Sequence, residues 1–262
     1  MSATDGLTSD RALSRERAQI VAWAARLGAI TAEALSRRER ATVASARSRL
    51  AAAARDGLLV RSSPLRHSPA LYTATRAGLH AVGLGALGAC EVSASNAAHL
   101  AACASVAVAL ESCYPDHAVR GERELRRDER ELGVPLASAS LHAPGARGTR
   151  RHRPDLVLWR SDGDGLPIAV EVELTLKAPR RLQEICRAWA RARCVAGVLY
   201  VAAPAVERAL GRAIARAHAS ERVIVVPLAA VAGARSTASR EPTRAREPSQ
   251  GARTVPRRGS TS

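Results

Sequence analysis

The residues best placed to do chemistry lie between positions 150 and 180. Pro154-Asp155 opens a short apolar run ending at Trp159, Ser161-Asp-Gly-Asp-Gly165 gives a turn signal, and a second run carries Glu171, Glu173, Thr175 and Lys177 at a spacing of two. Alternate residues of a strand share a face, so these four stand together while Val170, Val172, Leu174 and Leu176 face the other way. Two carboxylates are thereby displayed on an otherwise buried strand. Such a pair is costly unless cations or a metal ion compensate it, and Arg151, Arg153 and Arg180 are near in sequence to supply the cations. Lys177 is the only lysine among 40 basic residues. A compact three-donor ammonium differs from guanidinium in geometry and hydration, so the exception is informative. At roughly 3.3 Å per residue, six strand steps put Lys177 about 20 Å from Glu171, out of reach unless the strand bends or ends early. It also precedes Ala178-Pro179, a helix start with Arg180 and Arg181 behind it, where free N–H groups favour an anion. The expectation is a lysine that grips an anion such as phosphate at the rim of the acidic face, with Arg180 and Arg181 beside it.

The elements that must position these residues follow from periodicity. Residues 95–112 read as a helix with Leu100, Cys103, Ala107 and Leu110 on one face, and 117–127, whose pattern suits strand or helix, read as a strand entering a polar loop over 128–150. After the strands at 154–159 and 166–177 come a helix at 179–192, a strand at 195–203, a helix at 204–219 and a strand at 222–228. The order is helix, three strands, helix, strand, helix, strand. It predicts a mixed α/β fold with a partly parallel, buried sheet.

This order, with Pro154-Asp155 and Glu171-Val-Glu173, resembles the PD-(D/E)XK nuclease superfamily and its restriction-endonuclease-like fold. The resemblance implies that Asp155 and Glu171 bind a divalent metal, Mg²⁺, that polarises a phosphodiester and lowers the pKa of bound water. It implies catalytic roles for Asp155, Glu171 and Glu173, although Glu173 stands where the superfamily has its lysine; Lys177 is then either a displaced catalytic lysine or, with Arg180 and Arg181, a contact to DNA phosphate. An earlier acid would complete the metal site; Glu111, Glu122 and Glu124 are candidates, with Glu122 preferred.

The first ninety residues have a different pattern. Ile20, Val21, Trp23, Ala24 and Leu27 recur at helical spacing up to Gly28, Thr31 precedes a short second helix, and a third spans about Thr42 to Asp56 with Val43, Ala46, Leu50 and Ala53 inward. Ser45, Arg47, Ser48 and Arg49 are left outward. Residues 57–61 and 70–73 read as strands around a proline-containing loop. Three helices and a hairpin resemble the winged-helix DNA-binding family, with Thr75 capping a last helix. That resemblance implies Arg47 and Arg49 facing a major groove, and Arg61, Arg66 or His67 in the wing meeting phosphate. Gly83-Leu-Gly-Ala-Leu-Gly88 reads as a flexible connection.

Together, the winged helix, "EREL", "RPDLVL" and "VAVEVELTLKAPRRL" resemble the replication-relaxation family of plasmids and other bacterial mobile elements. This implies regulatory binding at replication or transfer DNA. The expected division is a disordered 1–10, a winged helix-turn-helix over 11–90, a nuclease-like domain over 91–231 and a disordered basic tail over 232–262. The second domain is then a non-cleaving relic or a dimerisation platform, which allows a homodimer, or else an active Mg²⁺-dependent endonuclease. A third reading is a transcription regulator whose second domain only contacts protein.

Composition fits such partners. The net charge is +16, divided as +7 over residues 1–90, +4 over 91–231 and +5 over 232–262. A field of this sign attracts duplex DNA in a salt-dependent manner. No run of 18 apolar residues suggests a membrane span and the N-terminus lacks signal-peptide character, so the expectation is a cytoplasmic, nucleoid-associated protein without a membrane partner. Five scattered cysteines without CxxC spacing argue for reduced thiols and against a structural zinc site.

Overall fold

A computed structural model describes residues 13–141 and 150–233. Helix α1 (Arg15–Leu27) starts where the Ser14 hydroxyl accepts from the Arg17 N–H, buries Ile20, Val21, Trp23, Ala24, Ala25 and Leu27, and stops at Gly28 with φ of 91°. The short strand β1 (Ile30–Thr31) leads into α2 (Ala32–Glu39), whose first turn is capped by Thr31. Helix α3 (Val43–Arg55) begins at the Thr42 cap and buries Ala46, Leu50 and Ala53, as their spacing requires. Strands β2 (Leu59–Ser62) and β3 (Leu71–Ala74) pair antiparallel, and β1 adds to β3, giving the order β1-β3-β2. Helix α4 (Arg76–Ala81) is capped by Thr75, which accepts from the Gly78 N–H and donates to the Gly57 carbonyl. Gly78 has to be glycine, because a Cβ there would lie 2.1 Å from the Leu58 carbonyl oxygen. Three helices followed by a two-stranded hairpin and a capped fourth helix stand in the expected order.

The second half begins with α5 (Ala97–Cys113), then β4 (His117–Gly121) and α6 (Glu122–Leu132). Here the structure corrects the sequence reading of 117–127 as one strand. Pairing stops at Gly121, and Glu122 to Leu132 form a strongly amphipathic helix with Glu122 and Glu124 in its first turn, where acids suit the helix dipole. Within the segment expected to be loop lies β5 (Ala139–Leu141), which pairs with β6 (Arg150–His152) starting at the end of that segment. Then follow β7 (Leu156–Arg160), β8 (Ile168–Glu173), α7 (Pro179–Arg191), β9 (Gly197–Ala202), α8 (Pro204–Arg216), β10 (Val223–Pro227) and α9 (Leu228–Gly233).

The main sheet has the order β10-β9-β8-β7-β4, with β4, β7 and β8 antiparallel to their neighbours and β8, β9 and β10 parallel. The fold is therefore mixed α/β, as the element order predicts. Val170 and Val172 of β8 pack on the side of α5, whereas Ala169 belongs to the cluster formed with α7 and α8. Helix α5 is apolar around most of its circumference, which requires cover on every side. It lies between the sheet and the first unit, and one apolar cluster runs from Ile20 and Leu35 through Cys103 and Val106 to Leu156 and Val172. Gly121 permits the approach of backbones here, since a Cβ would lie 2.4 Å from the Arg26 carbonyl oxygen. Arg38 bonds Glu111 at 2.7 Å and covers the Trp23 ring at 4.8 Å, tying α1, α2 and α5 together. The Gly83–Gly88 segment, expected to be a flexible connection, contains a 3-10 turn over Gly85–Leu87 and is held by Arg123, which donates to the Leu87 and Gly88 carbonyls. No helix among the described residues is long and apolar enough to cross a membrane. Residues 1–10 and the tail from 234 onward lie outside the described residues.

Candidate functional site

Two groups of side chains have the chemistry that the sequence singles out. The first lies where β7 begins and β8 ends. Leu156 is paired with Val170 in the antiparallel ladder, so continuing the register by one step sets Asp155 opposite Glu171. Asp155 does not extend the ladder. Its Oδ2 accepts from the Val172 N–H at 2.8 Å, and its Oδ1 lies 2.9 Å from His99 Nε2 on α5. The same nitrogen is 3.5 Å from Cys103 Sγ, one helical turn further along α5. Burial pushes the Cys103 thiol well above its ordinary range, and the Asp155 and Glu171 charges push it further.

Glu171 and Glu173 are both buried. Glu171 Oε1 accepts from the indole Nε1 of Trp189 at 3.0 Å and lies 2.7 Å from His152 Nε2. Glu173 is paired with Lys177. Desolvation raises the Glu173 pKa; the hydrogen bond and charge of Lys177 oppose that rise, while the Glu171 and Asp155 charges add to it. The separation of about 20 Å from Glu171 holds only for a strand that continues to Lys177, and β8 ends early, at Glu173. The chain turns before Pro179, bringing Lys177 back onto Glu173 four residues earlier. The unique lysine is therefore a member of the acidic cluster. It also lines a cleft with Arg180, Arg212 and Arg216, whereas Arg181 faces Glu184 at 3.4 Å.

The Mg²⁺ implied by the resemblance calls for oxygen ligands. Asp155 is engaged instead by a ring nitrogen that has a sulfur 3.5 Å away, and Glu171 is engaged by two ring nitrogens. Glu122 lines the same cleft as Asp155 but is paired with Arg126. Among the described residues, the set of three His, Cys or acidic side chains whose ligand atoms all lie within 4.8 Å of one another is His99, Cys103 and Asp155, not Asp155, Glu171 and Glu122. This donor set does not fit Mg²⁺. Glu111 and Glu124 are likewise spent at the contact between the two halves, facing Arg38 and Arg26.

The second group surrounds the β2–β3 hairpin. Arg47 on α3 and Arg61 on β2 are exposed and line one groove with Ser68, Pro69 and Tyr72. Arg66 and His67 are exposed on the intervening loop, where His67 takes φ of 61°. Arg47 faces Glu33 loosely, at 3.8 Å. Arg49 is corrected: it is not outward but half-buried and paired with Glu16 and Glu39, joining α1, α2 and α3.

His99, Cys103, His152 and Trp189 are the site residues that the sequence reading missed. The first two had a signal, a His and a Cys four apart on one helical face. His152 stood two positions before Pro154, without a periodicity to point it at Glu171. For Trp189 only its place on the inner face of α7 was legible.

A scan of protein-family models gives no match to this chain, and neither the curated proteins nor the solved structures contain a protein that matches it.

Proposed function

We propose that this chain is a duplex-DNA-binding protein that docks through the groove between α3 and the wing, and that the acidic cluster of its second half serves structure rather than strand cleavage. The observation that carries the first part is the pair Arg47 and Arg61, both exposed and lining one groove, with Arg66 and His67 exposed on the adjoining loop, on a chain of net charge +16. Guanidinium groups so placed can clamp phosphate oxygens or read guanine through two donors. The second part rests on the acids being engaged within the chain: Asp155 by His99 and a backbone N–H, Glu171 by His152 and Trp189, and Glu173 by Lys177. The resemblance to replication-relaxation proteins would set this binding at the replication or transfer DNA of a mobile element, and hence on the nucleoid.

The test is fluorescence anisotropy on a labelled duplex over a range of salt. Arg47→Ala with Arg61→Ala is expected to weaken binding by at least ~10-fold and to lower the salt slope by about one for each phosphate no longer neutralised. Arg49→Ala is expected to lower the melting temperature while leaving the affinity of the folded fraction unchanged. Wild-type binding by the double variant would move recognition to another surface. Supercoiled plasmid incubated with Mg²⁺ is expected to stay intact with wild type and with Glu171→Ala alike. Nicking that disappears in Glu171→Ala would overturn the non-cleaving reading.

A further inference from the structure

The cluster of His99, Cys103 and Asp155 has a composition of its own. Two of its members sit one turn apart on α5, a rigid helix covered on nearly all sides, and the third is fixed at the start of β7. The Val172 N–H holds one oxygen of Asp155 and thereby aims the other at His99. Such outer hydrogen bonds are what orient a ligating carboxylate in metal sites. The cluster opens onto a cleft of about 400 Å³ bounded by Glu122, Arg126 and Arg130.

We propose that His99, Cys103 and Asp155 form a binding site for a zinc-class divalent cation, with a fourth position directed at the cleft. One nitrogen, one sulfur and one carboxylate oxygen form a borderline-soft set that selects Zn²⁺ or Co²⁺ over Mg²⁺. Bonds of 2.0 to 2.3 Å in a tetrahedron place neighbouring ligand atoms about 3.3 to 3.6 Å apart. The Nε2 to Sγ separation is 3.5 Å, already at that spacing. The Nε2 to Oδ1 separation is 2.9 Å, so imidazole and carboxylate would part by about half an ångström as the cation replaces their hydrogen bond. Coordination converts the Cys103 thiol to thiolate, its proton leaving to solvent through the cleft, and draws on neutral His99 and ionised Asp155. The site differs from a cysteine-rich structural zinc motif, having a single thiol and an open position.

The competing arrangement is a plain hydrogen-bonded triad of the same three residues, and cobalt distinguishes the two. Full-length protein freed of metal and titrated with Co²⁺ is expected to bind one equivalent, developing a thiolate-to-metal charge-transfer band and intense tetrahedral d–d absorption, both abolished by Zn²⁺ and untouched by Mg²⁺. Cys103→Ser and His99→Ala are expected to remove the band and to weaken Zn²⁺ binding by at least ~10-fold, whereas Cys90→Ser, at the wall of the same cleft, retains both. His99 is part-exposed, so His99→Ala tests the site even if replacing the buried Cys103 impairs folding. Wild type that takes up no stoichiometric Co²⁺, a band that survives in folded His99→Ala, or one lost in Cys90→Ser would overturn the proposal.

Discussion

Lys177 makes its contribution by being short-range. Glu173 is buried, and its carboxyl is held above its ordinary range chiefly by desolvation, with Lys177 as the cation that opposes this. Lys177→Gln would leave a buried acid without its cation and is expected to cost about 1 to 3 kcal/mol near neutral pH. Replacing Glu173 by Gln in the same molecule should recover much of that loss, because the unpaired charge goes with it. Chemical denaturation of both single variants and the double variant measures the coupling. Losses that simply add would mean the two side chains do not act as a pair.

Elements show where local pattern speaks and where it stops. The caps at Thr31 and Thr75 and the inward stripes of α1 and α3 were legible because they depend on residues within a turn or two, whereas the caps at Ser14 and Thr42 emerge only from the structure. The end of β8 was not legible: Thr175, Leu176 and Lys177 continue the alternation, and only the pairing with β9, which stops at Glu173 and Ala202, ends the strand. Helix α6 was misread for a related reason, since its apolar positions are few and its charges suit an exposed strand as well as a helix. Of the candidate site, the acids on β8 and the Asp before β7 were readable from spacing, but their partners His99, His152 and Trp189 reach them from three other elements. At this scale Gly121 provides a test. It lies within van der Waals contact of the α1 backbone, so Gly121→Ala must push β4 and α1 apart and is expected to cost about 1 to 3 kcal/mol, read as a lower melting temperature. An unchanged melt would mean that the contact is slack.

On the scale of the whole molecule, α5 is buried on both sides. Its outer face meets α1, α2 and β1 while its inner face meets the sheet, and Arg123 of α6 reaches across to hold the Gly83–Gly88 segment. The chain is therefore expected to unfold in one cooperative transition, with near-UV and far-UV signals coinciding. A fragment that starts after residue 90 is expected to aggregate or stay partly folded, because it would expose the outer face of α5 to water. Two separated transitions, or a well-folded fragment, would refute the shared core.

This sandwiching of α5 bears on how the chain can change over generations. A DNA-reading head on a slack tether can be traded between proteins as a cassette. Here a crossover at the glycine-rich segment would join a helix to a sheet it fits and a head it does not, with Gly121, Trp23 and Glu111 all left facing strangers. The two halves are bound to drift together, so a substitution on the outer face of α5 should be answered in α1 or α2 of the same chain.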